Sequence, residues 1–220
     1  MKVQERTWNG TISPEKTQRE VEHGRLARKA AEEGFVLLKN EGQLLPIAKG
    51  TRIGLYGGGA VCTVKGGTGS GDVNERASVT IAQGLRNAGY EITSEFWLTA
   101  YEQLYHSSRE EWRDTILRKM EQMNGNFFNA YSTTPYHMLA GPQIDEEMAK
   151  EDGADTAVFV LARVAGENAD RRDEKGDYFL SDEEEGLLAQ LSRCYDHIVL
   201  VINAGGPVDL GFLEKYPKIE

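Results

Sequence analysis

Apolar residues in this chain fall into two kinds of pattern, short continuous runs and stripes at helical spacing. From about residue 52 onward the two alternate. Arg52-Ile53-Gly54-Leu55-Tyr56 predicts a strand, and Gly57-Gly58-Gly59-Ala60 leaves its carboxyl end. Ser78 to Asn87 predicts a helix with Ile81, Leu85 and Ala88 on one face, ended by Gly89, and Tyr90 to Trp97 predicts a second strand. A strand, a crossover of helical length and another strand imply a parallel sheet. A longer helix is expected over 99–124. Thr99 and Glu102 form a capping-box pattern there, and Trp112, Ile116 and Met120 make a stripe that suits packing rather than a cofactor. Asn124 to Gly141 reads as irregular, its aromatics Phe127, Phe128, Tyr131 and Tyr136 pinning it down. Ile144 to Glu151 predicts a short helix ended by Gly153, and Thr156 to Ala162 a third, buried strand. Ser181-x-x-Glu184 is a second capping box, opening a helix that buries Leu187, Leu188, Leu191 and Tyr195. His197 to Asn203 predicts a fourth strand, followed by the loop Ala204 to Asp209 and a short helical stretch.

Ahead of this alternation the pattern weakens. Residues 1–20 are polar and read as an arm. Gln18 to Glu33 predicts a helix with a small-residue face of Ala27, Ala30 and Ala31, ended by Gly34 in a left-handed cap. Phe35-Val36-Leu37-Leu38 is a short apolar run, and Pro46 stops any regular element. The expected organisation is an N-terminal arm and start of a helix over 1–27, then one domain over 28–220 with a helical and loop insertion at about 99–151.

Composition narrows the function classes. The 220 residues are 40% hydrophobic and 27% charged, which suits one globular domain. A net charge of -10 argues against nucleic acid and anionic membrane as partners, since both call for a basic face. No apolar run is long enough to cross a membrane, and Met1 to Arg6 lacks a signal-peptide core. Cys62 and Cys194 are far apart and read as free thiols, so a cytoplasmic location is expected. His23, His106, His137 and His197 are scattered, and no metal site is expected. The second glycine loop, Gly66 to Val73, invites a nucleotide reading. The G-x-G-x-x-G pattern fails, with Cys62 or Asp72 in the sixth place, and no Gly-Lys-Ser/Thr follows. No cofactor is therefore expected, and Lys65 and Asp72 rank low as site residues.

The loop after the third strand carries the candidate chemistry. Arg163-Val164-Ala165-Gly166-Glu167-Asn168-Ala169-Asp170-Arg171 leaves the carboxyl end of a strand, where open α/β sheets bind ligands. Glu167 there suits acid/base work. Asp170 and Arg171 suit substrate contact or loop orientation, and a structural ion pair accounts for them equally well. Taken alone, most loop glutamates have no catalytic role.

Several stretches together change that balance. Arg28-x-Ala30-Ala31-x-x-Gly34-x-Val36-Leu37-Leu38-Lys39-Asn40 with Leu45-Pro46, the loop Lys65 to Asn74, Arg163-x-Ala165-Gly166-Glu167-x-x-Asp170-Arg171, Gly176-Asp177-Tyr178-x-Leu180-Ser181 and Asn203-x-Gly205-x-Pro207-Val208-Asp209 occur in a fixed order. In that order the chain resembles the second domain of family-3 glycoside hydrolases. The resemblance implies a three-layer α/β/α sandwich with a mostly parallel, flavodoxin-like sheet. It also implies a (β/α)8 barrel partner and a retaining exo-acting β-glycosidase of β-glucosidase type. Its substrate would be an oligosaccharide or aryl β-glycoside ending in glucose or a similar sugar. By position in the motif Glu167 is the general acid/base, and the barrel supplies an aspartate nucleophile. Asn168 departs from the family's usual glycine, and no Ser-Asp-Trp or Thr-Asp-Trp nucleophile stretch is present. The reading therefore expects the reversed-order branch, with the sandwich domain first. Glu220 would then fall inside that domain, and the chain alone would be inactive. An incomplete sheet would leave an edge that favours a homo-oligomer. The alternative is a non-catalytic module of the same fold that binds carbohydrate or another protein; a nucleotide-binding flavodoxin-like protein comes third.

Overall fold

The computed structural model describes residues 13–67, 71, 77–165 and 171–220. They divide into two compact units, one ending at Asn40 and the other running from Glu41 to Glu220. The described part of the first unit is helix α1 (Gln18–Gly34) and an extended tail. A capping box that sequence reading missed opens α1. Thr17 accepts from the Glu20 amide at 3.3 Å and Glu20 accepts from the Thr17 amide at 2.7 Å. The expected left-handed cap at Gly34 is absent. Gly34 is the last helical residue and Phe35 runs straight on in extended conformation, φ -70 and ψ 136, so no reversing turn needs a glycine. None of the residues of α1 is buried, and Phe35, Val36, Leu37 and Leu38 are exposed.

The second unit is built on four parallel strands, β1 (Arg52–Tyr56), β2 (Glu91–Ile92), β3 (Thr156–Arg163) and β4 (His197–Ala204), in the order β2-β1-β3-β4. The right-handed crossovers usual between parallel strands, applied to this order, put α2 (Ile81–Asn87) on one face of the sheet. They put α3 (Glu95–Gln122), α5 (Glu146–Glu151) and α6 (Asp182–Cys194) on the other. This is the α/β sandwich expected, and β3, with all eight residues buried, is its centre. A strand covered on both faces reads as a continuous apolar run, which is why Thr156 to Ala162 was legible. Leu187, Leu188 and Leu191 of α6 are fully buried and Tyr195 nearly so, as their spacing predicts.

Three elements differ from expectation. The second strand is two residues long, not eight. Ser94 Oγ accepts from the Leu55 amide and donates to the Leu55 carbonyl, both at 2.7 Å, so a side chain takes the place of the next rung and α3 starts at once. Trp97, Leu98 and Tyr101, which follow, are buried at helical spacing. Thr99 consequently lies inside α3 and donates to the Glu95 carbonyl rather than capping. Helix α2 begins at Ile81, three residues later than the pattern suggests, because the capping box is Thr80 with Gln83. The stretch after α3 contains a further short helix, α4 (Phe127–Ser132), capped by Asn126. Of the four aromatics expected to pin it, Tyr131 and Tyr136 do so, whereas Phe127 and Phe128 are exposed. Trp112 meets Tyr131 and Tyr136 edge-on, and Arg109 stacks over both Trp112 and Tyr136. At the end of the chain Lys218 to Glu220 runs alongside β4. Ile198 donates to the Lys218 carbonyl at 2.9 Å and Glu220 donates back to Ile198 at 2.8 Å. Among the described residues, no helix is long and apolar enough to cross a membrane.

Because Ser94 satisfies both backbone groups of Leu55 in a buried position, Ser94→Ala leaves a donor and an acceptor without partners. The expected cost is about 1–3 kcal/mol of stability, read from the urea midpoint; an unchanged midpoint contradicts this account of the short strand.

Candidate active site

In this strand order the chain leaves β1 toward one side and β3 toward the other. Open α/β sheets bind ligands beyond the carboxyl ends of the strands at such a switch point. After β1 the chain turns tightly through Gly58 to Ala60. Gly57 has φ 88, and a Cβ there would lie 2.3 Å from the Val160 carbonyl oxygen, so the glycine lets backbone pass close to β3. On the other side Asn203, near the end of β4, donates to the Val64 carbonyl at 2.9 Å and accepts from the Val64 amide at 2.7 Å. Asp72 lies outside the described residues.

The last residue of β3 is charged and buried. Arg163 meets the Glu184 carboxylate in two parallel hydrogen bonds of 2.6 and 2.7 Å, with side chains only 6% and 9% exposed. The remaining guanidinium donors reach the carbonyls of Ala162, Asp177 and Phe179. Glu184 has a second task. It completes the capping box of α6 by accepting from the Ser181 amide at 2.8 Å, while Ser181 accepts from the Glu184 amide at 3.2 Å. One carboxylate thus ties the end of β3 to the start of α6. Between those two points runs the loop with the predicted site residues.

Glu167 and Asp170 fall in residues 166–170, outside the described residues; Arg171 is described. Arg171 Nη1 donates to Asp177 Oδ1 at 2.7 Å and reaches the Val164 carbonyl at 3.4 Å, across the segment from its own position. Asp177 Oδ2 accepts from the Arg172 amide at 3.0 Å. Burial pushes the Asp177 carboxyl up. Hydrogen bonds from Arg171 and the Arg172 amide, with both guanidinium charges, outweigh it and hold the group below the usual carboxylate range. The Nη2 of Arg171 is buried and has no hydrogen-bond partner among the described residues. Arg172 also contacts His137 Nε2 at 3.0 Å, which brings the segment after α4 to the rim of the site.

Arg163, Asp177, Glu184, Asn203 and His137 were given no site role by sequence reading, although Arg163, Asp177 and Asn203 lie in its ordered motifs. Arg163 carried a signal, since a charge closing a buried run needs a buried partner. Glu184 was read for capping alone. His137 had no local signal, being more than thirty positions from Arg172 in sequence. Other features are set apart from this chemistry. Burial pushes the Cys62 thiol up to about 12, aided by the Glu102 charge, so it stays protonated and a poor nucleophile at neutral pH. A cleft of about 90 Å³ lies between the starts of α3 and α5, lined by Tyr56, Trp97, Ile144, Met148 and Asp152 among others. Both its carboxylates are already engaged: Asp152 accepts from Thr93, Tyr195 and the Ala154 amide, and Asp145 caps α5 by accepting from the Glu147 and Met148 amides.

Comparison with known proteins follows the same outline. The family model described as the glycosyl hydrolase family 3 C-terminal domain matches residues 35–218. The chain is 28% identical to β-glucosidase A of Butyrivibrio fibrisolvens, over 90% of this chain and 24% of that protein. It is 29% identical to a β-glucosidase of Ruminococcus albus, over 86% of this chain and 19% of that one. Among solved structures, a β-glucosidase from Paenibacillus barengoltzii superimposes with a TM-score of 0.68 at 26% identity, over 86% of this chain and 19% of that chain. β-Glucosidase 3B from Thermotoga neapolitana, in complex with α-D-glucose, gives 0.65 at 28% identity, over 90% and 26%. The chain therefore spans about a quarter or less of the proteins it resembles.

Two outcomes follow from the ion pairs. Glu184→Gln keeps a capping side chain but leaves Arg163 buried without a counter-charge. The expected loss is about 3–5 kcal/mol in denaturant unfolding, and a loss below about 1 kcal/mol contradicts the buried pair. Asp177 has a lowered native pKa, so its stabilisation is full above the ordinary carboxylate value and is lost as pH falls through the native one. The stability gap between the parent and Asp177→Asn should hold from neutral pH to about pH 4 and close below it. A gap that persists into strong acid contradicts the assignment.

Proposed function

The chain belongs to the glycosyl hydrolase family 3 C-terminal domain family, and we propose that it supplies the general acid/base glutamate of a retaining exo-acting β-glycosidase. The substrate is an oligosaccharide or aryl β-glycoside ending in β-linked glucose or a similar sugar. Glu167 is the acid/base, Asp170 and Arg171 face the substrate, and a (β/α)8 barrel provides the aspartate nucleophile. One observation carries this reading. In the order β2-β1-β3-β4 the chain reverses direction between β1 and β3, where open α/β sheets bind ligands, and Val164 and Ala165, which precede Glu167 in sequence, follow directly on the carboxyl end of β3. Arg171 adds support, since its Nη2 is a donor with no partner among the described residues.

The chemistry is a double displacement. The barrel aspartate attacks the anomeric carbon as the glycosidic C–O bond breaks, and Glu167 gives its proton to the departing oxygen. In the second step the Glu167 carboxylate takes a proton from water. The water oxygen bonds to the anomeric carbon and the aspartate leaves, so configuration is retained. The two carboxyl groups need to stand about 5–5.5 Å apart for this. Glu167 must be protonated at the start, a state that a closing, partly dry interface favours by desolvation.

In the natural protein that carries this chain, Glu167→Gln should lower turnover of poorly activated glycosides by about 10²–10⁴-fold, the usual worth of a general acid. Aryl glycosides whose leaving group needs no proton should lose much less in the bond-breaking step. Unchanged rates on both substrates would overturn the acid/base role and leave a non-catalytic binding module as the better reading.

A further inference from the structure

We propose that Asp177 is a positioning residue for the acid/base loop, acting through Arg171; the inference rests on the assignment of Glu167 above. Asp177 lies ten residues beyond Glu167, and its side chain is 9% exposed. Its three acceptor groups each hold a different part of the loop's frame. Oδ1 takes the Arg171 guanidinium, Oδ2 takes the Arg172 amide, and the main-chain carbonyl takes Arg163 Nε at 2.9 Å. Arg163 belongs to β3, on the side where segment 166–170 starts, and Arg171 is the residue at which it ends. The same Arg171 nitrogen reaches back to the Val164 carbonyl. Asp177 therefore contacts residues on both sides of the segment: its carboxylate holds Arg171, whose Nη1 also reaches the Val164 carbonyl, and its main-chain carbonyl holds Arg163.

The loop after β4 closes the frame from outside. Gly205 packs so near that a Cβ there would sit 2.9 Å from Ala165 Cβ, and Gly206 packs against the Arg171 side chain. Asp209 donates to the Tyr178 carbonyl at 2.9 Å, fixing this second loop to the residue after Asp177. Val164, Ala165 and Arg171, which flank segment 166–170 in sequence, are thus held by hydrogen bonds and charge at Val164 and Arg171 and by close packing at Ala165. Catalysis is sensitive to such framing, since a 1 Å misplacement of a reacting group costs about 10²-fold in rate. Asp177→Asn keeps the shape but presents an amide, whose NH2 must face either the Arg171 guanidinium or the Arg172 N–H. One of the two bonds is lost, and Arg171 loses its counter-charge.

A purely structural ion pair would lower all activities together by reducing the folded fraction. A positioning role separates substrates by leaving group, because only a poor leaving group depends on where the acid sits. The test compares Asp177→Asn, Asp177→Glu and Glu167→Gln in the natural protein, using one alkyl β-glucoside and one dinitrophenyl β-glucoside, with rates normalised to folded enzyme. Expected for Asp177→Asn is a loss of about 10²-fold on the alkyl substrate, with less than a few-fold change on the aryl one. Asp177→Glu, which keeps the charge, should recover part of the loss. Gly205→Ala provides a second route if Asp177→Asn does not fold. Its added Cβ must displace Ala165 at the other end of the segment, and it should reproduce the same split. Equal losses on both substrates for Asp177→Asn, or for Gly205→Ala in its place, alongside a split for Glu167→Gln, overturn the positioning role and leave the acid/base assignment standing. No split for Glu167→Gln removes the assignment itself.

Discussion

The Arg163–Glu184 pair is the constraint on which the rest of the site depends. An arginine with a 6% exposed side chain at the end of a fully buried strand has to be met by a carboxylate and by carbonyls. Glu184 provides the first, and Ala162, Asp177 and Phe179 provide the second. Because Glu184, the third residue of α6, also completes its capping box, the helix can start at only one place relative to β3. The chain between them is then forced to leave the strand, form the Asp177 turn and return within a fixed span. Below this point the sheet is an ordinary doubly wound core. Above it, the polar network sets where the loop begins and ends.

Much of this architecture could be read from the residues. The run Thr156 to Ala162 and the stripe Leu187, Leu188, Leu191 declared their burial through period alone, and Ser181 with Glu184 declared a helix start. What could not be read were the places where one side chain overrode a local pattern. Tyr90 to Trp97 looks like a strand because of its aromatic and β-branched residues, yet Ser94 bonds both backbone groups of Leu55 and turns the chain into α3. Gly34 has the right residue type for a left-handed cap, but the chain does not reverse there. Both cases depend on what happens at a distance in sequence, which no local window contains.

The proposed site residues came from a different kind of signal. Position after a strand and membership of an ordered motif set pointed to Glu167, Asp170 and Arg171. The supporting residues were invisible as a group because they are spread over Arg163, Asp177 and Glu184, each with a bland local explanation. A charge at the end of an apolar run and an acidic residue in a helix's first turn are each common; only their contact gives them a joint meaning. Arg171 changed most on seeing the fold. Its guanidinium faces Asp177 and the Val164 carbonyl with one nitrogen, while the other has no partner among the described residues.

The proposed proton exchange between Glu167 and a glycosidic bond is decided by product chemistry. If the side chain is removed as Glu167→Gly in the natural protein, the glycosyl-enzyme formed from an activated aryl β-glucoside has no base to activate water. Azide needs none and can attack the anomeric carbon in place of water, displacing the barrel aspartate. The account predicts that β-glucosyl azide, with retained configuration, accumulates with this variant and not with the parent. Hydrolysis at the parental rate, with no glycosyl azide formed at any azide concentration, would contradict it.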